Sequence, residues 1–208
     1  MATRKEFFNL SAATWDQYYL NPKLLSFVER IILELDFESG QKVLDIGSGT
    51  GILVPFLANA VGSTGHITAI DYAEKMVEAC KAKYSNLENV TILVQDVEKL
   101  QFDSESIDAV VCFGLFPHLE NKFLALQLMH RVLRRGGRLI IAHAMSSEEI
   151  KLRHNSSSPV VAQDVLPEAG GMKALLSQVG FSDIRIKDEP GVYLCLSFKL
   201  QGSREDQE

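Results

Sequence analysis

The sequence predicts an α/β fold built on a largely parallel sheet, and three observations carry that prediction. Short apolar, β-branched runs alternate with segments of helical period between residues 42 and 142. The runs Asp108–Phe113 and Arg138–Ala142 are nearly all apolar, as suits strands covered by helices on both faces. A glycine-rich stretch, Val43–Gly51, joins the first run to the helical segment that follows it.

The elements follow in order. A helix is expected over Arg4–Tyr19, and a second after Asn21, which can cap it with Pro22 in the first turn. Strands are expected at Lys42–Ile46, His66–Asp71, Thr91–Gln95, Ile107–Phe113 and Arg138–Ala142. Helices are expected between them at Ile52–Val61, Ala73–Tyr84 and Asn121–Leu133. The basic run Arg131, Arg134, Arg135 and Arg138, interrupted by Gly136-Gly137, reads as a helix C-terminus whose cations meet its partial negative charge. Ser146 and Glu149 have capping-box spacing and predict a helix through Ile150 to Arg153. Asn155–Ser158 reads as loop and Pro167–Val179 as helix. Ile184–Lys187 and Val192–Lys199 read as strands around Pro190-Gly191, which predicts an antiparallel hairpin. The organisation expected is one domain over 1–201. It comprises a helical cap (1–39), a ligand-binding core (40–145), a helical segment (146–181) and a hairpin (182–201), with 202–208 as a frayed tail.

Composition narrows the function. The 208 residues are 46% hydrophobic and 23% charged, with a formal net charge of −6, which argues against a nucleic-acid partner. Cys80, Cys112 and Cys195 are widely spaced in apolar surroundings, so reduced, buried thiols are expected rather than a zinc or redox site. The first ten residues lack the apolar core of a secretion signal and no run is long enough to span a bilayer; a cytoplasmic protein without a membrane partner is expected.

At the junction Val43–Gly51, glycines permit unusual backbone angles and close approach of a ligand, and the amides of the next helix can meet its polar groups. A dinucleotide fingerprint wants G-x-G-x-x-G, but its third glycine position is Ile52 and the glycines stand at Gly47, Gly49 and Gly51. A nicotinamide enzyme is thereby disfavoured. Asp71, at the end of the second run, can accept from both hydroxyls of a ribose, or can cap the following helix; the two roles are compatible.

These motifs, in this order over about Lys42–Ala142, resemble the class I S-adenosylmethionine-dependent methyltransferases of the small-molecule branch. Val43–Gly51 resembles the family's first motif, Ile70-Asp71-Tyr72 its second, and Gln95-Asp96-Val97 its adenine-binding motif. Phe102–Phe116 matches the next block, and Leu133–Leu139 resembles the turn into the fifth strand, with Arg135 where the family usually has Pro. The resemblance implies a doubly wound, Rossmann-like, seven-stranded sheet, mostly parallel, whose last strand is antiparallel and inserted beside the fifth. It implies S-adenosyl-L-methionine as cofactor, held by Asp45, Gly47, Ser48, Gly49, Gly51, Asp71, Tyr72, Met76, Asp96, Val97 and Phe113.

The activity implied is methyl transfer to a small-molecule acceptor. A non-catalytic domain that binds the same nucleotide, and the nicotinamide-dependent oxidoreductase, are the alternatives. Methyl transfer rests mainly on alignment of donor and acceptor, and needs an acid–base group only if the acceptor must lose a proton. His118 and His143, after the fourth and fifth strands, are the catalytic candidates; structural histidines are the alternative. Phe8, Trp15, Tyr19 and His154 are candidates for the acceptor pocket, although the aromatic spacing also suits a helix docking on the core. No metal ligand set is recognised, and the oligomeric state is not readable.

Overall fold

The computed structural model describes residues 3–201. Seven strands form one sheet in the order β3-β2-β1-β4-β5-β7-β6. They are β1 (Lys42–Ile46), β2 (His66–Asp71), β3 (Val90–Val94), β4 (Ile107–Phe113), β5 (Leu133–His143), β6 (Phe181–Glu189) and β7 (Val192–Lys199). The first five pair in parallel, and β7 runs antiparallel between β5 and β6. The expected hairpin therefore exists, and it inserts its second strand against β5. The segment 202–208, expected as a tail, lies outside the described residues.

The helices are α1 (Arg4–Ser11), α2 (Trp15–Tyr19), α3 (Pro22–Glu34), α4 (Val54–Val61), α5 (Glu74–Tyr84), α6 (Lys122–Val132), α7 (Ser147–Asn155) and α8 (Ala169–Val179). Strand polarity explains why both sheet faces need covering. Leu44, Ile46, Val110, Cys112, Leu139 and Ile141 point into one core with α6 and α8. Val43, Ala109, Val111, Ile140 and Ala142 point into the opposite core with α3 and α4. Alternate residues of each strand thus feed two apolar layers, as period-2 geometry requires. Cys80, Cys112 and Cys195 are buried and free.

Local signals set several boundaries as expected. Asn21 Oδ1 accepts the Leu24 amide at 3.0 Å and Pro22 opens α3. The Ser146–Glu149 capping box closes in both directions at the start of α7.

Other boundaries differ from expectation. Arg4–Tyr19 is two helices, because the chain turns at Ala12–Thr14 and α2 is anchored elsewhere: Asp16 accepts from Thr50 Oγ1 at 2.5 Å and pairs with Lys83 at 2.9 Å. The helix expected from Ile52 begins at Val54, since Gly51 (φ +89°) and a tight turn occupy the residues before it. Strand β5 begins at Leu133, with a register shift where Gly136 (φ +73°) lets it depart from β4. The basic run is consequently not a helix terminus. Only Arg131 lies in the last turn of α6, and it donates to the carbonyls of Phe102 and Leu100. Arg134 pairs with Asp108, and Arg138 donates to the Leu35 carbonyl while lying over the Phe37 ring.

Candidate active site

The C-terminal ends of β1, β2, β4 and β5 open onto a cavity of about 380 Å³ beneath α1, α2 and α7. Ligands of open α/β sheets bind at this edge because loops and helix N-termini converge there. The floor is the glycine loop, where Gly47 (φ +72°) and Gly49 (φ +54°) take backbone angles that L side chains rarely adopt. Among the described residues a Cβ at Gly49 would meet no atom within 4 Å, so that glycine faces open space. Gly51 does something else: a Cβ there would lie 2.6 Å from Cys80 Sγ and 2.9 Å from Tyr84 Cε2. It lets the loop pack on α5 and does not line the cavity.

Asp71 closes β2 with one oxygen on the Gly49 amide (3.0 Å) and the other on the Ala73 amide (2.8 Å). Ala73, not Asp71, occupies the N-cap position of α5, so the capping alternative is realised only as a turn preceding the helix. Asp71 lines the cavity together with Ser48, Tyr72 and Met76. Asp45 lies below them, 1% exposed and lining neither cleft. Burial, and then the charge of Asp71, push the Asp45 carboxyl up to about 7. Asp45 Oδ2 and Ser48 Oγ find no hydrogen-bond partner among the described residues. Buried acceptors without partners are costly, and two carboxyls side by side favour a cationic or proton-donating ligand group above them.

Asp96 and Val97 follow β3 and line a second cleft of about 180 Å³ that shares Phe8, Gly47, Asp71, Tyr72, Leu115 and His118 with the first. The Asp96 carboxylate also caps a short 3-10 turn through the Glu98 amide at 3.0 Å.

The roof is aromatic. Trp15 and Tyr19 rings lie 4.2 Å apart, Phe8 packs on Trp15, Tyr72 and His118, and Arg153 lies over Tyr19. Phe8, Trp15, Tyr19, Phe113, His118, His143 and His154 all line the larger cavity. The rings pack against one another and line the cavity, as a helix docking on the core would place them.

The three histidines differ. His143 is 4% exposed and its Nε2 has no hydrogen-bond partner among the described residues; burial, then the charges of His118 and His154, hold it down to about 3. His118 Nδ1 meets Asp164 Oδ2 at 2.7 Å. His154 Nδ1 donates to the Asp164 carbonyl at 2.6 Å. Sequence reasoning missed Asp164 altogether. Its signal is slight, an acid inside the apolar stretch Val160–Leu166, and its partners come from distant segments.

A glycine loop and a carboxylate at the switch region of a sheet ordered 3-2-1-4-5-7-6 define a nucleotide-binding, doubly wound α/β domain. Residues 44–141 match the family model described as "Methyltransferase domain". With that match, the motifs and the antiparallel β7, the chain is similar over residues 44–141 to the class I S-adenosylmethionine-dependent methyltransferases. A demethylmenaquinone methyltransferase of Staphylococcus aureus is 38% identical over 113 residues, 54% of this chain and 46% of that enzyme. The chain therefore spans about half the length of the curated relatives it matches. The solved S-adenosylmethionine-dependent methyltransferase of Aquifex aeolicus has a TM-score of 0.74 at 24% identity, covering 92% of this chain and 98% of that one. The Haemonchus contortus phosphoethanolamine N-methyltransferase 2, solved with phosphomonomethylethanolamine and S-adenosylhomocysteine, has a TM-score of 0.77 at 15% identity, covering 97% and 61%. These structural likenesses concern the fold.

Proposed function

We propose that this chain transfers the methyl group of S-adenosylmethionine to a small, flat, largely apolar acceptor held under Phe8, Trp15 and Tyr19. The carrying observation is that one cavity joins the glycine loop and Asp71 to this aromatic roof, which supports a nucleotide and an apolar acceptor meeting there. The name of the S. aureus relative supports a quinone-like ring as acceptor class.

When bound, S-adenosylmethionine supplies an electrophilic methyl on a sulfonium. The residues present fit it. Asp71 keeps free lone pairs toward the cavity after accepting its two amides, enough to take ribose hydroxyls. Asp96 and the Val97 amide, in the second cleft, suit the adenine edge. Gly47, Ser48 and Gly49, above the Asp45 carboxyl, suit the amino-acid end, and Met76 and Phe113 complete the apolar contacts. Gly51 and Asp45 act from behind this surface, one by close packing and the other by charge. The aromatic roof excludes water and holds the acceptor in line with the methyl. Free, buried thiols and a net charge of −6 support a cytoplasmic enzyme acting on a small molecule rather than on nucleic acid.

Calorimetry with adenosylhomocysteine and NAD tests the cofactor. Binding of the sulfur nucleotide alone is expected; binding of NAD alone overturns the reading. Release of adenosylhomocysteine across a set of ring hydroxyls, amines and thiols tests the acceptor, and no turnover on any of them favours the non-catalytic alternative.

A further inference from the structure

His118 and Asp164 are 46 residues apart in sequence and touch through a 2.7 Å hydrogen bond at the cavity wall. Asp164 is 4% exposed, and both of its oxygens are engaged. Oδ1 accepts from Arg4 Nη2 at 2.5 Å, and Oδ2 accepts from Arg4 Nε at 3.1 Å as well as from His118. Burial alone would raise this carboxyl, but the hydrogen bonds from His118 and Arg4 outweigh it and hold it down at about 2. An ionised carboxylate can only accept. The proton of the neutral His118 ring therefore sits on Nδ1, and the lone pair is on Nε2, the nitrogen left free by the pair. His118 lines both clefts, wedged between the Phe8 ring (5.3 Å) and the His154 ring (4.9 Å), so it has little freedom to turn.

His143 is the contrasting case. It borders the same cavity, yet among the described residues no charged group is bonded to it, and its surroundings resist protonation. A proton taken up during reaction is far better accommodated beside Asp164.

We propose that Asp164 is a positioning residue that presents His118 Nε2 as general base, and that the acceptor is a ring hydroxyl that must lose its proton. This rests on the methyl-transfer reading above. In the step, the hydroxyl proton passes to Nε2 and an oxygen lone pair forms the new C–O bond. The S–CH₃ bond breaks with its electron pair left on sulfur. The sulfonium charge disappears as the imidazolium forms, and the Asp164 carboxylate stabilises that imidazolium until its proton returns to water. Arg4 holds Asp164 ionised and in place from α1, which also carries Phe8 over the site.

Two measurements test this. Nitrogen NMR of histidine-labelled protein with adenosylhomocysteine bound reads the His118 tautomer directly. Nδ1–H in the wild type, lost in Asp164→Ala and kept in Asp164→Glu, is expected; Nε2–H in the wild type overturns the proposal. Turnover is followed with 1,4-naphthohydroquinone as the hydroxyl probe and dimethyl sulfide as a probe with no proton to lose. With the first, Asp164→Ala should lower kcat about 10- to 100-fold with KM nearly unchanged, and Asp164→Glu should recover most of it. His118→Gln should lower kcat about 10²- to 10⁴-fold. Unchanged kcat in Asp164→Ala, turnover of dimethyl sulfide only, or turnover of neither probe overturns the proposal. Adenosylhomocysteine affinity reports separately: wild type that fails to bind it sinks the methyl-transfer reading, and a variant that still binds it is folded.

Discussion

The Asp71 carboxylate and the Gly49 amide meet at 3.0 Å, so the end of β2 holds the glycine loop that follows β1. One side chain thereby shapes the loop and faces the cavity. Asp71→Ala should weaken adenosylhomocysteine about 10- to 100-fold, the equivalent of one charged hydrogen bond of about 1.5–3 kcal/mol. Asp71→Asn, which keeps one acceptor oxygen, should lose less. Calorimetric titration of both variants checks this, and an unchanged affinity in Asp71→Ala would mean the ribose lies elsewhere.

Two glycines of the same loop should fail in different ways. Gly51→Ala drives a methyl into Cys80 and Tyr84 at a φ of +89° and should cost about 1–3 kcal/mol in urea unfolding. Gly49→Ala meets no protein atom, so it carries only the strain of its φ of +54°, about 1–2 kcal/mol. Its methyl enters the space offered to the ligand, and adenosylhomocysteine affinity should fall. A Gly49→Ala protein with undiminished affinity would argue against a ligand above that residue.

Asp16 ties α2 to the glycine loop through Thr50 and to α5 through Lys83. Asp16→Ala should free α2 and with it Trp15, the single tryptophan of the chain. A red shift of tryptophan emission is expected, with a stability loss of about 1 kcal/mol. Emission identical to wild type would show that the aromatic packing alone holds α2.

Two buried groups give opposite pH signatures. The unfolded chain protonates His143 near the ordinary 6.5, the folded chain only near about 3. The unfolded state thus binds the extra proton in that window, and folding stability falls as the pH drops from 6.5 to about 3. Asp45 is the reverse: its folded carboxyl keeps a proton up to about 7 that the unfolded chain releases near 3.8. It therefore lowers stability as pH rises from 3.8 to about 7. Melting temperatures across this range should flatten on the acid side in His143→Gln and rise near neutrality in Asp45→Asn. A His143→Gln profile parallel to wild type would place that histidine in contact with water.

Legibility followed the range of each interaction. The parallel strands, the Asn21 and Ser146 caps and the Pro190-Gly191 hairpin were readable because each depends on residues within a few positions of one another. The break in the first helix was not, since Asp16 is anchored by Thr50 and Lys83. The basic run misled for the same reason: Arg134 and Arg138 serve Asp108 and Leu35, which no local pattern reveals. In the site, the loop, Asp71, Asp96 and the three histidines could be named from their places after strands, but their chemical differences could not.

By itself the sequence determined the class of sheet, the position of the glycine loop and the residues that follow each strand, because apolar periodicity and glycine spacing are local constraints. Only the tertiary structure decided which histidine is backed by a carboxylate. Asp164 reaches His118 because the segment after α7 folds back over the cavity and Arg4 on α1 holds it there. That arrangement depends on burial and charge pairing between segments far apart in the chain, and neither leaves a spacing to read.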